Sequence, residues 1–359
     1  MLSGWIMEEV ASIDKMAQES AEQRQAILTK PAGSLGVLER LAIQFAGWQG
    51  VCKPQLDKVH ISIFAADHGV AEEGVSAFPQ VVTGEMVKNF VRGGAAISVL
   101  AEHHQAELEI IDVGVKDFPQ MIGVIRARAG NSSHNIVQEN AMTEAQLQLA
   151  LQTGREAAER AKANNAQVFI GGEMGIANTT SATAIACALL NISDVATLTG
   201  AGTGLDNAGI KHKSTIVAAI LVRYQKELAQ QDSSSDNEAL HVLNVLRMVG
   251  GFEIVALVGA YMRSAQLGIP VLVDGFITTV AALAAIKLNE NINLWMLFSH
   301  CSAESGHAKI LSALDVKSLV NFDMRLGEAS GAATVIPLIQ QALALHNNMA
   351  TFAEAEVSK

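Results

Sequence analysis

The chain has 359 residues, of which 50% are hydrophobic, 17% charged and 4% aromatic, and a net charge of −11. So apolar a chain with so little charge excludes disorder, and its length is ample for a large buried core. The acidic balance argues against a nucleic-acid partner, which would require a basic patch or stripe, but leaves room for one small anion held locally.

Three cysteines, Cys52, Cys187 and Cys301, are widely spaced and form no CxxC pair. A disulfide framework or structural zinc site is therefore not expected, and a reducing cytoplasm fits. The opening MLSGWIMEEV carries acids where a secretory leader carries bases. The longest apolar runs, such as 277–286, fall short of the roughly 20 residues a membrane span needs.

In chain order, apolar Ile6, Val10, Ile13 and Ala17 predict a helix over 5–28, ended by Pro31 and Gly33, and a second follows over 35–48. Strands are predicted at 60–66, 108–113, 168–171, 195–199, 270–273 and 294–298. Most are continuous apolar runs, as buried parallel strands read. Helices are predicted between them over 84–103, 144–163, 180–190, 208–228, 238–267, 276–288 and 304–313, with a last one over 332–345. The stretch QQDSSSDN at 230–237 reads as a solvated loop. This order predicts an α/β fold with a Rossmann-like, doubly wound, mostly parallel sheet.

In such sheets ligands bind beyond the carboxyl ends of the strands. Those ends carry Asp67-His68-Gly69, Gly171-Gly172-Glu173, the glycines of 200–204, Asp274-Gly275 and Ser299-His300. TGAGTGLDNAGIKHK at 199–213 suits a phosphate cradled by backbone amides at a helix start, aided by Lys211 and Lys213. Its spacing is neither the dinucleotide nor the Walker pattern, and a plain tight turn reads equally well. GGEMGIANTT at 171–180 offers Glu173 as a base or cation stabiliser, or alternatively as a solvated acid beside a helix cap. RLGEASG at 325–331 sets Glu328 in a flexible turn; spacing alone favours an acid stabilised by the helix dipole. HCSAESGH at 300–307 could align His300, Glu304 and His307 for a metal, but a capping or ligand-contact role fits better. Asp67-His68 lacks the G-x-S-x-G elbow that would complete a triad, which leaves buried hydrogen bonding. The loop and helix of 67–92, with Phe78, Pro79 and Gln80, could form a flat slot for an aromatic heterocycle, or simply a connection.

Taken together, seven stretches resemble the nicotinate-nucleotide–dimethylbenzimidazole phosphoribosyltransferases of cobalamin lower-ligand assembly. They are 30–42, 64–87, 171–184, 200–213, 273–282, 299–307 and 325–332, in the family's order and spread over nearly the whole chain. Ala177 and Ala329 stand where the family pattern leads one to expect glycine, and Ala201 where a larger residue is common.

The resemblance implies transfer of the phosphoribosyl group of nicotinate mononucleotide to 5,6-dimethylbenzimidazole, giving α-ribazole 5′-phosphate and nicotinate. It implies Glu328 as the carboxylate base, overturning the preference from spacing. Glu173 is then expected near the ribosyl C1′. Gly202, Gly204, Lys213, Asn178, Thr179 and Ser302 are expected around the nucleotide, and Phe78 and Gln80 at the benzimidazole. No metal or organic cofactor is expected. The implied plan is a cytoplasmic homodimer, with an α/β domain over 51–325 and a small helical domain built from 1–50 and 326–359. A nicotinamide-dependent oxidoreductase would need G-x-G-x-x-G after the first strand, where Asp67-His68-Gly69 stands instead. A non-catalytic nucleotide binder would have no need for Glu173 and Glu328 together.

Overall fold

The computed structural model describes residues 4–230 and 237–358, so most of the loop expected at 230–237 lies outside the described residues. The chain opens with a short 3-10 turn at Gly4–Met7, then helices α1 (Lys15–Ile27) and α2 (Val37–Gln49) and strand β1 (Val59–Ala66). Next come α3 (Val81–Val91), α4 (Ala96–His104), β2 (Glu107–Gly114), β3 (Val124–Arg126) and α5 (Glu144–Ala163). The middle of the chain forms β4 (Val168–Met174), α6 (Asn178–Leu190), α7 (Asn207–Leu228), α8 (Glu238–Val249) and α9 (Phe252–Gln266). The last elements are β5 (Val271–Val273), α10 (Phe276–Leu288), β6 (Met296–Phe298), α11 (His307–Ala313) and α12 (Ser330–Asn348).

The six strands form one sheet in the order β3-β2-β1-β4-β5-β6, parallel at every pairing. This is the expected doubly wound α/β architecture. The central strand β1 is buried along its whole length, as a strand covered by helices on both faces must be. The strand order reverses between β1 and β4, so the crevice expected of such sheets opens at their carboxyl ends.

Several boundaries differ from the sequence reading, each for a local reason. The first helix begins at Lys15, where Asp14 caps it by accepting from the Ala17 amide at 2.9 Å. The helix expected over 84–103 is two, α3 and α4, separated by a turn with Gly93 at φ +81°. The helix expected over 238–267 is also two, broken at Gly250 and Gly251.

Residues 195–199 are not a strand. Val195–Thr197 is a 3-10 turn. The Thr197 and Thr199 hydroxyls each donate to a backbone carbonyl at 2.8 Å, of Asp194 and Val195 respectively, which favours a turn over an extended ladder. β4 pairs directly with β5, so the sheet has no vacancy there. The glycine-rich loop therefore follows a turn rather than a strand. β3 was not expected: it is only three residues long, at the sheet edge, and partly exposed.

The two ends of the chain meet. Arg24 donates to the carbonyls of His346 and Asn347, and Leu28 bridges to Thr351.

Candidate active site

The carboxyl ends of β4, β5 and β6 carry Glu173, Asp274 and His300, and these three line one cavity of about 270 Å³. Also on its wall are Phe78, Asn178, Thr179, Gly202, Ser302, Glu304, Arg325 and Glu328. Four carboxylates thus face a space with a single cationic side chain, Arg325, on its wall.

Glu328 reaches the cavity from a turn of three consecutive left-handed residues. Gly327, Glu328 and Ala329 have φ of +86°, +61° and +65°. A side chain at position 327 would collide, since a Cβ there would lie 2.7 Å from Glu173 Oε1. Glu328 is 6% exposed, and its Oε2 has no hydrogen-bond partner within the protein. Burial, reinforced by the nearby Asp274 carboxylate, pushes its carboxyl up to about 7. An unpartnered carboxylate with that affinity for protons is poised to accept one near neutrality.

Glu173 ends β4. Its Oε2 accepts from the Asn178 amide at the start of α6. Burial, then the charges of Glu253, Asp274 and Glu328, push its carboxyl up to about 8. Glu173 therefore holds its proton at neutral pH. Asp274 is also raised, chiefly by burial. Burial lowers the affinity of His300 for a proton.

The residues expected at the nucleotide divide into two groups. Asn178, Thr179, Gly202 and Ser302 are on the wall. Lys213 is fully buried behind it, with Nζ donating to Thr179 Oγ1 at 2.6 Å. Burial brings the Lys213 ammonium down to about 8. The backbone folds over this lysine because Gly202, at φ +54°, has no side chain: a Cβ there would stand 3.2 Å from Nζ. Gly204 shapes the same turn at φ +112° but is off the wall.

Of the pair expected at the benzimidazole, Phe78 is on the wall and 52% exposed. Gln80 is not on the wall; its amide donates to the His68 carbonyl at 3.0 Å and ties the loop down. Thr203 joins the two loops above the cavity through Ser76 Oγ and the Ala77 amide.

The remaining motifs resolve as buried hydrogen bonding. His68 sits between Glu253 at 2.6 Å and Ser181 at 3.1 Å, all three fully buried. His307 accepts from the Ser302 amide at 2.8 Å through Nδ1 and bonds Thr279 Oγ1 through Nε2. That fixes the loop ahead of α11, and among the described residues no cluster of three potential ligands could hold a metal.

Sequence reasoning gave no role to Arg325 or Glu253, placed Asp274 only among the strand ends, and weighed Glu304 with its neighbours for a metal, a cap or a ligand contact. The signals were present for two of them: Asp274 ends an apolar strand, and Glu253 is the one acid in the run FEIVALVGAYM.

A family model described as phosphoribosyltransferase matches residues 10–357. The nicotinate-nucleotide–dimethylbenzimidazole phosphoribosyltransferase of Xanthomonas axonopodis pv. citri is 53% identical over 359 residues, covering 100% of this chain and 99% of its own. The enzyme of the same name from Pseudomonas fluorescens is also 53% identical, with the same coverage of each chain. Among solved structures, CobT from Thermus thermophilus superposes with a TM-score of 0.87 at 38% identity, covering 96% of this chain and 99% of that one.

Proposed function

We infer the arrangement of the catalytic groups from one premise: the chain belongs to the nicotinate-nucleotide–dimethylbenzimidazole phosphoribosyltransferase family. Its reaction moves the phosphoribosyl group of nicotinate mononucleotide onto 5,6-dimethylbenzimidazole, in the assembly of the cobalamin lower ligand.

The imine-type nitrogen of neutral dimethylbenzimidazole attacks C1′ from the face opposite nicotinate. The C1′–N bond to nicotinate breaks as the new one forms, so the β linkage becomes α. Nicotinate leaves as a neutral pyridine ring from a pyridinium and needs no proton. The attacking azole becomes cationic, which makes its other N–H acidic. Glu328 takes that proton, a contribution of roughly 10²–10⁴-fold. The single observation that carries this assignment is the unpartnered Glu328 oxygen in the cavity, on a carboxyl poised near neutrality.

Glu173 stabilises the positive charge that develops at C1′. It must be ionised to do so, and the pyridinium of the bound nucleotide supplies a neighbouring positive charge that draws its proton off. Gly202, Thr179, Asn178 and Ser302 receive the ribose phosphate, with Lys213 supporting Thr179 from behind and Gly204 shaping the loop. The benzimidazole lies against Phe78, with Gln80 steadying that loop. Two further expectations belong to the same proposal. One is a small domain formed by 1–50 and 326–359, supported by the contacts of Arg24 and Leu28 with the C-terminal segment. The other is a cytoplasmic homodimer; among the described residues no helix is long and apolar enough to cross a membrane.

Steady-state release of nicotinate by Glu328→Gln tests the base. The expected result is a kcat lowered by roughly 10²-fold or more, with KM for both substrates little changed. Turnover at the wild-type rate overturns the assignment.

A further inference from the structure

We propose that Asp274 is a positioning residue for Glu328, holding the turn that carries it by capping the helix behind it from another part of the fold. This rests on the reading of Glu328 as the base.

The need for such a cap follows from local chemistry. The first amides of a helix have no partners within it, and a side-chain oxygen at the residue before the helix commonly supplies one. That residue before α12 is Ala329, which has no side-chain acceptor. Asp274, at the carboxyl end of β5 and 1% exposed, fills the place instead: its Oδ1 accepts from the Ala332 amide at 2.7 Å. The start of α12 is seated closely on this support. At Gly331 a Cβ would lie 2.9 Å from Asp274 Oδ1 and 2.1 Å from the His300 ring, so only glycine lets the helix approach.

His300 stands 3.8 Å from Asp274, and the Ser299 hydroxyl fixes both by contacting the Asp274 carbonyl and His300 Nδ1, each at 3.2 Å. The turn held this way is the run of three left-handed residues that includes Glu328. Two of the three are not glycine and disfavour that conformation, so it persists only where its surroundings impose it. Asp274 imposes it while keeping a negative charge close to Glu328.

The titratable and charged groups around Glu328 and its cavity come from several elements. Asp274 on β5 raises Glu328 directly. Glu173 on β4 shares the cavity, with Glu253 and Tyr261 of α9 behind it. His300 follows β6, and Arg325 and Glu304 complete the wall. Removing the Asp274 charge therefore lowers the pH at which Glu328 ionises.

The test is steady-state kinetics and melting temperature for wild type, D274A, D274N, E328Q and the double variant D274A/E328Q. D274A is expected to lose roughly 10²-fold in kcat, the cost of a misplaced group, with KM for nicotinate mononucleotide within about twofold. D274N keeps an oxygen that accepts from Ala332, so it recovers much of the rate, and the acidic limb of its pH profile moves to lower pH. In the E328Q background D274A adds little. An equal fold-loss from D274A in both backgrounds overturns the proposal, because Asp274 would then act independently of Glu328. A D274N acidic limb unmoved from wild type overturns it as well. If D274A does not fold, the pH profile of D274N decides: its acidic limb must move to lower pH, and an unmoved limb overturns the proposal. A wild-type rate in E328Q instead defeats the base reading, and this inference with it.

Discussion

Two alanines stand where the family pattern leads one to expect glycine, and both adopt the conformation that explains the expectation. Ala177 has φ of +74° and Ala329 of +65°. An L-residue pays about 1–2 kcal/mol there, which glycine avoids. Glycine also loses about 0.4–1 kcal/mol through the freedom it gives the unfolded chain. The balance differs between the two sites. The Ala329 methyl rests on the sheet, where even a Cβ at Gly172 would lie 2.9 Å away, so removing it opens a void. Ala177, 3% exposed, precedes α6 as its cap, and its methyl contributes some packing that offsets part of the gain. We therefore expect Ala177→Gly to stabilise the protein by up to about 1 kcal/mol, read as a higher urea midpoint at unchanged slope. A lower midpoint would mean that the methyl contributes more by contact than it costs by conformation. Glu328 shares the strained turn; RLGEASG signals a flexible turn there, but spacing alone favours an acid serving the helix dipole. Only the resemblance marked the acid, and only three-dimensional proximity could bring Asp274 to it from 54 positions earlier in the chain.

At the level of elements, α5 and α9 cross so closely that their backbones nearly touch. A Cβ at Gly154 would lie 1.8 Å from the Ala256 carbonyl oxygen, and one at Gly259 would lie 2.2 Å from that of Leu151. Neither neighbour is a flexible side chain, so the helices themselves must separate to admit a methyl. Gly154→Ala should cost about 3 kcal/mol, the upper part of the range for overpacking, and denaturant unfolding measures it. A loss under about 0.5 kcal/mol would mean that the pair slides apart freely.

The boundaries of α5 were legible because Thr143 and Gln146 form a capping box. α10 was legible because glycine precedes its apolar run. VATLT at 195–199 misled because β-branched residues carry strand propensity, whereas their hydroxyls here bond backward to the chain. A helical pattern also runs on across Gly93 and across Gly250-Gly251, since apolar period alone does not register a change of direction.

For the whole molecule, the sheet order gathers the acids of β4, β5 and the α12 turn into one cavity, and this makes the stability of the protein depend on pH. Burial and mutual repulsion raise Glu328 to about 7 and Glu173 to about 8 in the folded state. A carboxyl raised on folding contributes stability that is full below its unfolded value and lost as pH climbs through the folded one. The loss should therefore develop between about pH 5 and 8. Asp67, Asp112 and Asp274, raised chiefly by burial, add losses of the same sign, while His104, His300 and His346, lowered by burial, oppose them by regaining stability as pH climbs through the ordinary imidazole range. Glu109, held down to about 2 by His60 and Arg160, sustains stability until strongly acid pH. His307, lowered to about 3 by burial, weakens the fold as pH falls below its ordinary range. Lys213, lowered to about 8, begins to relieve its own penalty only above that pH. Glu328→Gln removes one ionisation from the sensitive window. Its melting temperature relative to wild type should rise between pH 5 and pH 8, by the equivalent of about 1–3 kcal/mol. Saturating nicotinate mononucleotide, whose pyridinium favours the ionised acids, should flatten the wild-type dependence over the same range. A difference that stays constant with pH, or shrinks, would show that Glu328 ionises no differently in the fold than in the open chain.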